Sequence, residues 1–91
     1  MVNDLPETAY PTPLKIYPNP ATEEAWLQLP KHFEGGTLDT YNSTGQQIDS
    51  QYLLKGEDQW RLPVTNLSPG LYFYQITTKG EQYTIRLVVN H

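Results

Sequence analysis

The sequence predicts an all-β fold, a small antiparallel sandwich of about seven strands. Two observations carry this reading. Short runs rich in β-branched, aromatic and alternating apolar residues are separated by turn signals at roughly ten-residue spacing, with no convincing helical period. The last run is the cleanest: Tyr83, Ile85, Leu87 and Val89 share one face, and Gln82, Thr84, Arg86 and Asn90 share the other, with Val88 the exception. Strict alternation of this length means one buried and one wet face.

Taken in order, residues 1–13 hold Pro6, Pro11 and Pro13 and show little periodicity, so they are expected to be an extended linker. Residues 14–91 form the folded domain. Leu14-Lys15-Ile16-Tyr17 alternates as a short first strand. Pro18 and Pro20 remove two ladder donors and restrict Tyr17 and Asn19, so pairing ends there in a stiff corner. Asn19 is expected to steady that corner by bonding nearby backbone. Thr22-Glu23-Glu24 reads as a loop. Ala25, Leu27 and Leu29 then share one strand face, Trp26 and Gln28 the other, and Pro30 stops the strand. Gly35-Gly36 is a turn signal before a strand over Thr37–Tyr41. Asn42 to Gly45 is a hairpin connection with Gly45 at positive φ, and Gln47 to Leu54 returns. Gln59 to Val64 is a fifth strand, interrupted by Pro63.

Leu67-Ser68-Pro69-Gly70-Leu71-Tyr72-Phe73-Tyr74-Gln75-Ile76 is the stretch that organises the rest. Pro69 and Gly70 fit the two central positions of a type II turn. The strand that follows carries Tyr72, Tyr74 and Ile76 on one face and Leu71, Phe73 and Gln75 on the other. Bulk on both faces places it centrally in its sheet. Lys79-Gly80 turns the chain back into the last strand.

Composition removes several function classes. The chain has 91 residues, enough for one domain, and no cysteine, so no disulfide and no thiolate chemistry. Net charge is −4 and the six basic residues are scattered, which argues against a nucleic-acid partner. No apolar run is long enough for a transmembrane helix. Residues Met1 to Asp4 have neither the basic nor the apolar region of a signal peptide. The chain is therefore expected to be cytoplasmic or a piece of a longer protein.

No catalytic constellation is apparent, and no cofactor or metal is implied. His32 and His91 lack ligand spacing. Ser43, Ser50 and Ser68 sit in or near turns, outside any nucleophile elbow. Glu23-Glu24 and Glu57-Asp58 read as solvated loop charge. The chain is expected not to be an enzyme. Trp26, Trp60 and seven tyrosines are many for this length; core packing explains them, and a sugar-stacking platform is the binding alternative.

Four segments carry a family resemblance: Ile16-Tyr17-Pro18-Asn19-Pro20-Ala21, Tyr41-Asn42-Ser43-Thr44-Gly45-Gln46, Leu67-Ser68-Pro69-Gly70-Leu71-Tyr72 and Arg86-Leu87-Val88-Val89. In this order the chain resembles the type A C-terminal sorting domain of the type IX (Por) secretion system of Bacteroidetes, over about residues 14–91. Thr40 and Thr44 depart from its usual aliphatic residues, and Arg86 from its common lysine.

The resemblance implies an immunoglobulin-like sandwich at the end of a larger exported cargo. It implies passage through the periplasm and the outer-membrane translocon, then removal by a surface cysteine sortase with the cargo left at the cell surface or outside. Its motif positions here are Pro18, Asn19, Pro20, Gly45, Leu67, Gly70, Tyr72 and Gly80, expected to serve folding first. Cleavage is expected in the Pro-rich segment before Leu14. An open C-terminal strand edge would offer unpaired N–H and C=O groups. Recognition is therefore assigned to Arg86, Leu87, Val88, Val89, Asn90 and His91. Two other readings stay open: an accessory carbohydrate-binding module using Trp26 or Trp60, and a structural spacer that self-associates weakly through its strand edges.

Overall fold

The computed structural model describes residues 14–30 and 33–91. The expected linker over 1–13, its cleavage point and His32 lie outside the described residues. Seven strands follow in chain order: β1 (Lys15–Tyr17), β2 (Glu24–Gln28), β3 (Gly36–Asn42), β4 (Gln47–Leu53), β5 (Gln59–Pro63), β6 (Gly70–Thr78) and β7 (Glu81–Val89). They build two antiparallel sheets, β1-β2-β5 and β4-β3-β6-β7. This is the expected all-β sandwich.

β6 is central, as its two bulky faces require. It pairs with β3 on one side (Leu38 opposite Ile76, Tyr41 opposite Phe73) and with β7 on the other (Tyr72 opposite Leu87, Phe73 opposite Arg86). Its Tyr72, Tyr74 and Ile76 are buried. They meet Leu38 from β3, Leu53 from β4 and Leu87 and Val89 from β7, packed against Ala25 and Leu27 of β2 and Leu62 of β5. Leu14, Ala21, Leu29, Phe33 and Val64 close the core from the connecting segments. Leu27, Leu38, Ile76 and Leu87 are fully buried, and each such side chain contributes about 1.5–3 kcal/mol from burial. Thr40, one of the three departures from the family pattern, is a buried polar residue in this core.

Two local expectations change. The hydrogen-bonded turn in the 64–70 segment is not at Pro69-Gly70 but four residues earlier, where the Leu67 amide donates to the Val64 carbonyl at 3.0 Å. The Ser68 carbonyl, which a type II turn would have used, instead accepts the Tyr72 hydroxyl at 2.6 Å. Gly70 starts β6 at φ 152°, a value that favours glycine but is far from the turn geometry. This Tyr-to-backbone bond across the β5–β6 corner is the tyrosine corner of immunoglobulin-like sandwiches.

The second change concerns Gly36. It is not only part of a turn signal: a Cβ there would come within 2.1 Å of the Thr77 carbonyl oxygen. β3 thus begins where two backbones touch, and only glycine fits.

Pairing register defines the two ends of the sandwich. Glu24 opposite Pro63, Asn42 opposite Tyr72 and Gly70 opposite Val89 mark one pole. Gln28 opposite Gln59, Gly36 opposite Leu53 and Thr78 opposite Glu81 mark the other. The chain enters β1 at the second pole and leaves β7 at the first.

Candidate functional site

The C-terminal pole collects segments far apart in sequence. Pro18, Asn19 and Pro20 lie between β1 and β2, and the Tyr17–Pro18 and Asn19–Pro20 peptide bonds are both cis. Asn19 does not bond its neighbours. Its Nδ2 donates to the Arg86 carbonyl at 3.0 Å, and its Oδ1 accepts from the Val88 amide at 3.0 Å. The Ala21 amide donates to the Val88 carbonyl, and the Asn90 amide donates to the Ala21 carbonyl, each at 2.8 Å. Residues 19–21 therefore run parallel along β7 as a short extra strand, bridged at Ala21 and Val89. Ala21 is completely buried, so a small side chain is what lets the segment lie this close.

This corrects the expectation of an open C-terminal edge. Of the outward backbone groups of β7, the Arg86 carbonyl, both Val88 groups and the Asn90 amide are occupied by the corner. A sequence reading treated Asn19 locally because the short-range Asn habit is the stronger prior. The long-range pairing shows only once β1 and β7 are adjacent.

Leu67 and Tyr72 sit at the same pole. The Leu67 carbonyl accepts a hydrogen bond from the His91 ring at 2.7 Å. The terminal side chain is thus tied to the β5–β6 corner rather than free. Leu87 and Val89 face the core, whereas Arg86, Val88, Asn90 and His91 are exposed. Of the six residues assigned to recognition, these four present surface, and Leu87 and Val89 hold the strand down.

Gly45 also lies at this pole, in the β3–β4 hairpin, at φ 89°. Asn42 organises that turn: its Oδ1 accepts from the Thr44 amide (3.1 Å), the Thr44 hydroxyl (2.7 Å) and the Gln46 amide (3.0 Å). The Thr44 hydroxyl, where the family usually has an aliphatic residue, serves this cage. Gly80 is the motif position at the opposite pole. With Lys79 it forms a two-residue β6–β7 hairpin, both at positive φ.

The tryptophans do not make one platform. Trp60 packs against the core and its Nε1 donates to Gln51 Oε1 at 3.0 Å. Trp26 alternates with buried Ala25 and Leu27 and so faces away from the core. The two rings lie on opposite faces of their sheet.

Among the described residues, no group of three or more His, Asp or Glu side chains is placed to hold a metal ion, and no helix is long and apolar enough to cross a membrane. Burial pushes the Tyr74 hydroxyl up to about 12, with the Asp49 carboxylate and Tyr72 adding to it. The Tyr83 hydroxyl is raised through its hydrogen bond to Glu81. Neither group touches the C-terminal pole's exposed surface. The arrangement is an exposed strand face on a hydrogen-bonded support.

Residues 15–90 match the family described as the secretion system C-terminal sorting domain. Karilysin of Tannerella forsythia, a Bacteroidetes species, is 29% identical over 86 residues, which cover 85% of this chain and 18% of that protein. The chain thus spans under a fifth of the curated relative's length. With the match reaching from β1 through β7, the chain belongs to the secretion system C-terminal sorting domain family, whose role is that of a sorting signal rather than a catalyst.

Proposed function

We propose that residues 14–91 are the sorting unit of a larger precursor and that they direct it through the type IX outer-membrane translocon. The match over residues 15–90 carries this reading. Residues 1–13 serve as the linker to the cargo and carry the cleavage point for a surface cysteine sortase. The cargo then stays at the cell surface or is released outside.

The exposed groups of the C-terminal pole support a specific docking site: Arg86 and Val88 on the wet face of β7, next to the corner that Asn19 builds. Leu87, Val89, Tyr72 and Gly70 act there by holding the strand, and Asn90 and His91 by closing its end. Recognition by addition of a strand to the Arg86–Asn90 edge would first require displacing residues 19–21, so side chains on the sheet face are the readable feature.

A secretion assay tests the reading. Residues 1–91 are fused behind a signal peptide and a fluorescent protein and expressed in a Bacteroidetes host with this system. Surface or medium fluorescence that disappears in a translocon-deficient strain is the expected result. Periplasmic retention of a folded fusion in the competent host would overturn it.

A further inference from the structure

We propose that the outer edge of β4 is a strand-addition site for an extended segment of a partner protein, alternately apolar and carrying a basic residue. This goes beyond the sorting reading and does not depend on it.

Edge strands expose backbone groups that invite pairing, and proteins blunt them with cover, proline, positive charge or shortness. The sandwich has four edges. β7 is covered over Arg86–Asn90 by residues 19–21. β1 has three residues and runs into Pro18. β5 has five, including Arg61 and Pro63. β4 has seven residues and no proline, lysine or arginine. Its bulge falls at its start, where the register shifts opposite Thr40 and Tyr41, and Asp49 to Leu53 pair regularly with β3.

The direction of the backbone groups follows from the Asn19 corner. Arg86 and Val88 point away from β6, so alternate residues along each ladder point alternately. Carried across β6 and β3, this turns Gln51 and Asp49 toward β3 and leaves Ser50 and Tyr52 with their N–H and C=O groups outward. Among the described residues, no backbone hydrogen bond beyond the β3 ladder reaches Asp49 to Leu53.

The side chains define the occupant. Ile48 is 40% exposed, Tyr52 79% and Leu54, just after the strand, 60%. A row of free amides and carbonyls flanked by these residues takes an extended peptide with apolar side chains at alternate positions. β3 and β4 contain Asp39 and Asp49 and no basic residue. The Asp39 carboxylate accepts from the Ser50 hydroxyl and the Gln47 amide, whereas among the described residues the Asp49 carboxylate has only the Gln51 amide at 3.5 Å. A lysine or arginine of the added strand fits opposite Asp49.

The test is an amide NMR titration of residues 1–91 with a short capped peptide that alternates threonine and valine around a central lysine. At about 1 mM peptide, a range that captures weak binding, the Ser50 and Tyr52 amides shift and their hydrogen exchange slows. Tyr52→Pro removes an outward N–H and abolishes the shifts. Asp49→Lys keeps the backbone, weakens binding about tenfold through like charge, and carries the test if Tyr52→Pro does not fold. Shifts confined to Gln82 and Thr84 of β7, equal binding by Asp49→Lys, or no shift at all would overturn the proposal.

Discussion

Asn19 and Val88, 69 residues apart, are joined by a 3.0 Å hydrogen bond from the Val88 amide to the Asn19 side-chain oxygen. This bond, with its partner to Arg86, makes the first family motif and the last strand one structural unit. Asn19→Ala removes both bonds and should cost about 1–2 kcal/mol. Asn19→Asp keeps the acceptor for Val88 but turns an oxygen instead of a donor toward the Arg86 carbonyl, so it should keep the first bond and lose the second. Denaturant midpoints rank the three proteins. Faster hydrogen exchange of the Val88 amide in Asn19→Ala, but not in Asn19→Asp, checks the assignment.

The tyrosine corner gives a second test. Tyr72→Phe keeps the ring in the core and deletes the donor to the Ser68 carbonyl. It should lose about 1 kcal/mol, or roughly 4–8 °C in Tm for a domain of this size. Tyr52→Phe, on an exposed ring, should leave Tm unchanged. Equal effects of the two would remove any special role for the corner.

Strand existence was legible in the sequence because alternation, proline and glycine act locally. All seven strands and the buried face of β7 follow from such short-range cues. What stayed hidden was contact at a distance. Asn19 read as a local corner residue, the Tyr72 hydroxyl had no visible acceptor, and the C-terminal edge looked open because nothing in β7 announces the segment that covers it. The motif positions were found by family resemblance, and the structure gives them a physical reason: all but Gly80 converge on one pole.

Gly36 and Gly45 separate two uses of glycine. Gly36→Ala drives a Cβ against the Thr77 carbonyl, and moving a backbone should cost about 3 kcal/mol. Gly45 has open space around it and only a positive φ. Gly45→Ala should cost about 1 kcal/mol. Thermal melts of the two variants should differ clearly, with Gly36→Ala the lower.

Tyr74 predicts an alkaline limb of stability. Its hydroxyl ionises near 10 when unfolded and at about 12 in the fold, because burial disfavours the phenolate. Between these values the native state binds the extra proton. Stability is therefore unaffected by this group below pH 10 and falls as pH rises from 10 to 12. Tyr74→Phe should flatten that part of the profile. Ultraviolet titration of the tyrosines should show a late-appearing phenolate that is missing in the variant.

Arg86 and Leu87 are neighbours on β7 with opposite tasks, so they separate recognition from folding. Leu87 is fully buried, and Leu87→Ala should cost about 2–5 kcal/mol. Export of a Leu87→Ala fusion should fall in parallel with its stability. Arg86 is exposed and enters the Asn19 bond only through its backbone carbonyl, so Arg86→Glu should keep the wild-type Tm. If its side chain is read by the translocon, export of the Arg86→Glu fusion drops while the purified domain melts normally. Normal export by Arg86→Glu would move recognition off the wet face of β7, leaving that strand a purely structural part of the signal.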